Sequence, residues 1–460
     1  MPQLLAGFAT ALPLRAVRVA SEADAPVRLR LGRPRTAALR RLFGKRVHRL
    51  GWGMLDQGVS SLTNFAVVLL AVRTVGTAQF GAFSLAYVTY GFVLSASRGL
   101  VTGPLQVRFS ATDLPTWRRA VAECTGAAAV AGLVSGIAVL VVALALDGTA
   151  KAAFVALGLT LPGLLLQDSW RYAFFALGRG SQAFLNDTIW AIALIPALGL
   201  LRVTHHQEVF WFILAWGAAA AAAAAAGAWQ AGVVPRLSRA WDWVRQHRDL
   251  GLRYLVESMS INGASQLRTY AVGIIVGLTA IGYLTAANTL MGPFMVIYLG
   301  MTLVTVPEAV RAMRRSLWHL RLFCLLAGAG LAVMCLAWGA VLLVVLPRGF
   351  GEWLLGPIWR PAYPLVLPMT LSIMGGCIDS GATSGLHALG AARRSLRAGL
   401  IASALYLSFA VAGTFVAGVT GTVWGLAFGT WIGALVWWGQ LRAALWESLC
   451  VSTLPRRGSC

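Results

Sequence analysis

Apolar runs of about twenty residues follow one another along almost the whole chain, and this pattern limits the fold more than any motif does. Each run is long enough to cross a bilayer core of ~30 Å as a helix. Within lipid every backbone N–H and C=O must find its partner inside the protein, so spanning segments are helical. Composition agrees, with 58% hydrophobic and 12% charged residues, against about a quarter charged in soluble domains. The sequence predicts an all-α polytopic membrane protein.

Twelve spans are expected, at about 53–72, 80–104, 120–146, 152–176, 185–203, 209–233, 252–276, 281–306, 320–346, 361–388, 397–417 and 421–443. Basic residues crowd the even-numbered loops, for example Arg108, Arg118, Arg119, Arg236, Arg239, Arg245 and Arg248. The odd-numbered loops hold only Arg73, Lys151, Arg202, Arg348 and Arg360. The positive-inside rule then predicts a multi-pass protein of the cytoplasmic (inner) membrane with both termini in the cytoplasm. The formal charge of +22 is explained by these loops. No basic segment belongs to a nucleic-acid-binding module, so nucleic acid is not an expected partner; membrane lipid is.

The chain also repeats itself. A shift of 201 positions places Glu257 on Asp56, Gly277 on Gly76, and Ile281-Gly282-Tyr283-Leu284 on Phe80-Gly81-Ala82-Phe83. A shift of 212 places Ala388-Leu389-Gly390 on Ala176-Leu177-Gly178. Internal duplication in a membrane protein is the usual signature of a transporter built from two repeats. Both repeats begin on the cytoplasmic side, so an axis along the membrane normal should relate two six-helix bundles as parallel repeats. The expected organisation is a basic, disordered cytoplasmic arm (1–50), an N-terminal bundle (51–234), a cytoplasmic linker (235–251), a C-terminal bundle (252–445) and a cytoplasmic tail (446–460).

Charges and polar stripes inside spans are the candidate functional groups, because they are expensive there. Asp56, Ser60, Thr63 and Asn64 share one helix face, and Glu257, Asn262 and Ser265 belong to the matching helix of the second repeat. Two such helices suggest a water-filled cavity between the bundles; hydrogen bonds within each bundle are the plainer alternative. Arg98 and Arg268 lie inside spans, where a guanidinium can hold an anion. Snorkelling is the competing account of Arg98. Asp379, at bilayer depth in the tenth span, would carry a coupling ion or pair with an Arg across the cavity. Asp168 is expected to pair locally with Arg171. The alanine run 218–226 reads as close helix packing.

Other chemistries find no residues to carry them. The six cysteines form no CxxC pair and His205-His206 sits on a short loop, so neither a disulfide framework nor a metal site is expected. No GxxxxGK[ST], GxSxG or HExxH occurs, and no catalytic residue or cofactor is expected.

The run from Gln57-Gly58-Val59-Ser60-Ser61-Leu62-Thr63-Asn64 through Val75-Gly76-Thr77-Ala78-Gln79-Phe80-Gly81-Ala82-Phe83 resembles the opening of O-antigen and teichoic-acid exporters. These belong to the multidrug/oligosaccharidyl-lipid/polysaccharide (MOP) flippase superfamily, and the Ala-Leu-Gly turns fit the same pattern. The resemblance implies twelve helices around a central cavity. It further implies alternating-access flipping of an undecaprenyl-diphosphate-linked oligosaccharide in surface-polysaccharide (lipopolysaccharide) biosynthesis, beside glycosyltransferases and a polymerase. The family's cavity arginines would correspond, by type and location, to Arg98 and Arg268. The alternative within the superfamily is an ion-coupled exporter of small cationic or amphipathic compounds. A membrane glycosyltransferase or polymerase is disfavoured, since Asp147, Glu208 and Glu352 stand alone on short outward loops.

Overall fold

Glycines that the repeat superimposes share a backbone conformation that other residues avoid, and helix ends are set by it. In the computed structural model, which describes residues 58–453 apart from 59, 111, 207, 347 and 348, Gly76 and Gly277 have φ of 72° and 106°. Gly178 and Gly390 have φ of 74° and 67°. The second pair makes the same helix stop twice. The N–H of Arg179 reaches the carbonyl of Phe174 at 2.9 Å, and that of Ala391 reaches Leu386 at 3.0 Å. This is the six-to-one bond of a Schellman cap, which glycine at the left-handed position permits. The Ala-Leu-Gly turns are therefore helix terminators.

The first lobe contains α1 (Ser60–Thr74), α2 (Gly76–Arg108), α3 (Leu114–Leu144), α4 (Gly148–Ala176), α5 (Gly180–Val203) and α6 (Val209–Ala231). The second contains α7 (Ala240–Ile275), α8 in two halves (Leu278–Leu290 and Gly292–Arg315), α9 (Leu317–Val345), α10 (Trp359–Ala388), α11 (392–416) and α12 (419–453). A short helix, Phe350–Leu355, precedes α10. No strand occurs among the described residues. The expected basic arm and residues 454–460 of the expected tail lie outside them.

Among the described residues eight helices are long and apolar enough to span on their own, nine with α8 counted as one bent span. The rest of the twelve fall short for identifiable reasons. The described part of α1 is short, α7 carries a polar face, and α11 and α12 run together through non-helical Ala417 and Gly418. The halves of α8 meet at 55°, beside Gly292 and Pro293. Pro162, Pro196, Pro364 and Pro368 are carried inside unbroken helices.

Within each lobe the fourth helix is central, and small residues let its neighbours approach. A Cβ on Gly217 of α6 would fall 2.2 Å from the Thr160 side chain of α4, and one on Gly339 of α9 would fall 2.3 Å from Thr370 of α10. Ala219, Ala220, Ala223 and Ala224 are buried on the same side of α6, so the alanine run packs against α4 and α5. Gly217→Val should lower the thermal unfolding midpoint of the purified protein, by a destabilisation of about 1–3 kcal/mol. Gly199→Ala, where a methyl meets open space, should leave the midpoint unchanged or slightly raised.

Candidate functional site

The site begins with a local fault in α2. Residues Arg98–Thr102 form a π-helical turn, in which the Gly103 N–H bonds back to the Arg98 carbonyl. Such turns are rare and gather at functional positions. This one faces three ways. Arg98 points to α4, where its Nε donates to Asp168 Oδ2 at 3.0 Å and its Nη2 to Oδ1 at 2.6 Å. Gly99 and Gly103 lie against Leu255 and Tyr254 of α7. The Val101 carbonyl accepts the Trp243 indole N–H at 3.1 Å and the Cys124 thiol at 3.5 Å.

The bidentate Arg98–Asp168 pair is nearly enclosed, with side-chain exposures of 16% and 7%, and Tyr172 covers the guanidinium at 5.4 Å. The expected local pairing of Asp168 with Arg171 is thus corrected: Asp168 is clasped from α2, and Arg171 pairs across to Asp187 of α5 at 3.5 Å. The reason is geometric. Both acids lie inside the first lobe, where two arginines from different helices converge, and a two-point carboxylate–guanidinium fit outweighs a neighbour on the same helix. Gln167 donates to Asp187 Oδ1 at 2.9 Å and to Asn186 Oδ1 at 3.3 Å, and Asn186 donates to the Ala223 carbonyl at 2.8 Å. The network therefore ties α2, α4, α5 and α6 together.

These two ion pairs floor a cavity of about 470 Å³ between the lobes. Ser60, Asn64 and Phe65 of α1 form one wall, and Tyr87, Tyr90 and Leu94 of α2 another. Trp190 of α5 and Met295, Val296 and Leu299 of α8 complete it. Tyr87 donates to Asn64 Oδ1 at 3.2 Å and packs with Tyr90 on Trp216, an aromatic wall. The lining residues fall in the middle of the spans or in the half nearer the basic loops. A smaller recess of about 80 Å³ shares Tyr87, Gly91, Asn288 and Thr289 with it and extends to Ser265, Arg268 and Thr269 of α7.

The structure thus places Arg98, Ser60 and Asn64 on the main cavity, and Arg268 and Ser265 on the recess. Asp56 lies outside the described residues, as do the side chains of Glu257 and Asn262. Arg98 is buried in an ion pair, so snorkelling does not describe it. Arg268 donates to the Tyr406 hydroxyl and to Ser265 Oγ at 3.4 Å, and lies over the Tyr406 ring at 5.5 Å. Its Nε is buried without a hydrogen-bond partner among the described residues. Asp379 stands apart in α10, beside Tyr298 and Cys377. Its Oδ1 is buried without a partner, and the Arg pairing weighed for it does not form among the described residues.

Sequence reasoning missed Arg171, Asp187, Gln167, Tyr90 and Trp190 as cavity groups, and Asn186 as the buried group behind them. The available signal was the polar pair Asn186-Asp187 at the start of an apolar run, facing a second polar cluster, Gln167 to Arg171. Chemically the site offers aromatic and aliphatic surface, amide and hydroxyl donors, and two guanidiniums already neutralised.

Two lobes of six helices thus enclose a shared, polar-floored cavity. No family model matches the sequence, and no curated protein matches it. Solved structures do. The chain is similar to the inward-facing conformation of a multidrug resistance MATE family transporter of the MOP superfamily, with a TM-score of 0.69 and 15% identity over 86% of this chain and 96% of that one. It is similar to an outward-facing structure of such a transporter with a TM-score of 0.53 and 16% identity over 86% of this chain and 94% of the other. A MOP superfamily transporter from Pyrococcus furiosus, with a binding pocket described as of reverse polarity, gives a TM-score of 0.54 and 15% identity over 86% and 94%. The chain has the fold of these MOP-superfamily proteins and is a multi-pass membrane protein.

Removing one partner of a buried ion pair strands the other charge, at a cost of about 3–5 kcal/mol. Asp168→Asn should therefore lower the thermal midpoint more than the double variant Arg98→Gln/Asp168→Asn, and a double-mutant cycle by thermal unfolding checks it.

Proposed function

We propose that this chain is an alternating-access exporter of amphipathic compounds, with no enzymatic step of its own. The observation that carries this reading is the state of the main cavity. Its wall is aromatic and aliphatic, while Arg98 and Arg171 are already satisfied by Asp168 and Asp187. A diphosphate head group would have to compete with both carboxylates, whereas an amphipathic molecule can lay its apolar body on Tyr87, Tyr90 and Trp190. The likeness in fold to multidrug transporters supports the same reading. With the basic loops in the cytoplasm, the cavity opens its half of the membrane toward the inner face of the cytoplasmic membrane. Asp379, with its unpartnered oxygen, is the proposed site of ion coupling.

One observation favours a second reading, flipping of an undecaprenyl-diphosphate-linked oligosaccharide supplied by glycosyltransferases and passed to a polymerase. Arg268 borders the recess with no carboxylate partner among the described residues, so its charge is left for an anionic group to compensate.

A strain lacking the gene separates the two. We expect severalfold greater susceptibility to amphipathic dyes, reversed by the wild-type gene, with an unchanged inner-leaflet pool of lipid-linked saccharide measured with an impermeant periodate-type label. Accumulation of that pool, with unchanged susceptibility, would replace the first reading by the second; no change in either would overturn both. In vesicles, Asp379→Asn is expected to abolish the response of export rate to an imposed proton or sodium gradient while compound binding persists.

A further inference from the structure

The end of the molecule away from the cavity is closed by residues that the repeat pairs with one another. Gly81 of α2 and Gly282 of α8 are equivalent under the 201-position shift, and they meet. A Cβ on Gly282 would lie 3.4 Å from the Gly81 nitrogen and 3.2 Å from the Phe80 ring. One on Gly81 would lie 2.2 Å from the Leu278 carbonyl oxygen. Contact between equivalent residues places this crossing on the axis relating the two lobes, and at 2.2 Å no side chain fits between the backbones. A second contact spans the lobes at the same end. Arg73, just beyond the apolar core of α1, donates from Nε to the Leu354 carbonyl at 3.1 Å, and its guanidinium lies over the Trp353 ring at 5.4 Å. Trp353 stacks in turn on Phe350, with ring centroids 5.1 Å apart.

We infer that these two contacts form a gate at the end opposite the basic loops: the Gly81–Gly282 crossing is its seat, and Arg73 on Trp353 and Leu354 is the latch. The inference rests on the alternating-access reading. The seat itself is backbone packing with no polar bond of its own; the interlobe bond between the Thr89 and Tyr270 hydroxyls, 2.9 Å apart and nearer mid-membrane, must also part, and entering water replaces it. The latch is exposed, where a cation–π contact and one charge-assisted hydrogen bond are weak enough to open on the timescale of transport. Water satisfies both partners once they separate. The short helix Phe350–Leu355 supplies both latch acceptors, which gives this otherwise unexplained insertion before α10 a task.

The test uses a cysteine at Asn288, on the wall shared by cavity and recess, in the full chain in oriented membranes. Labelling by an impermeant maleimide is measured from each side and corrected for the parent chain, where Cys124, Cys324, Cys335 and Cys377 are buried. We expect Asn288→Cys to label from the basic side. Adding Arg73→Ala or Trp353→Ala should raise labelling from the opposite side about tenfold, equivalent to roughly 1.4 kcal/mol, and the two together should do no more than either. Gly81→Val, which wedges the seat, should act in the same direction. Ser60→Cys serves as the second reporter. Labelling from the basic side with no change on the opposite side in Arg73→Ala and Trp353→Ala overturns the gate. No labelling of either reporter from either side in any folded variant overturns alternating access itself.

Discussion

The bilayer core holds no water to spare, so a charge carried into it must meet its opposite inside the protein. That constraint fixes the first lobe. Arg98 reaches α4 because the π turn of α2 aims it there, and Asp168 answers with both oxygens. Arg171 is then left to Asp187, and Gln167 fills the remaining acceptor of that acid. Each partner belongs to a different helix, so the spacing of α2, α4 and α5 is set by the reach of a guanidinium. Exchange of Arg98 for lysine would lose the planar two-point fit and loosen this spacing.

The two lobes share a backbone plan and differ in what they bury. Helix stops and crossing glycines recur at equivalent places. The ion pairs do not. Where the first lobe holds neutralised pairs, the second holds Arg268 against Tyr406 and Asp379 with an unpartnered oxygen. Duplication thus preserved what backbone geometry demands, while the side chains facing the cleft diverged.

Much of this architecture is legible in the sequence, because hydrophobic length and glycine placement are local signals. The runs of apolar residues give the helices, and the 201- and 212-position shifts give the lobes and their matching helix ends. The polar face of α1 and the inward arginines are legible for the same reason: each violates the composition around it. The pairings are not. Asp168 and Arg171 look like partners along one helix, and only the meeting of α2 with α4 shows that Arg98 claims the acid. The π turn is equally silent, since Arg-Gly-Leu-Val-Thr has no feature that distinguishes it from ordinary helix. Gly81 and Gly282 are visible as a repeat, yet their mutual contact depends on the lobe axis.

One helix joins the lobes more firmly than a linker would. α7 runs unbroken for 36 residues, starting in the basic segment between the bundles and ending past mid-membrane. At 1.5 Å per residue it is a rod about 54 Å long. Its first turns are clamped to α2 by Trp243 on the Val101 carbonyl and by Arg108 on Asp249 at 2.6 Å. The rod is tied to α2 again near its other end, where the Tyr270 and Thr89 hydroxyls lie 2.9 Å apart, so the two helices are coupled through the depth of the membrane and not at one point. A rearrangement at the loop beside the cavity floor would thereby be carried along one continuous element to the opposite half of the second lobe.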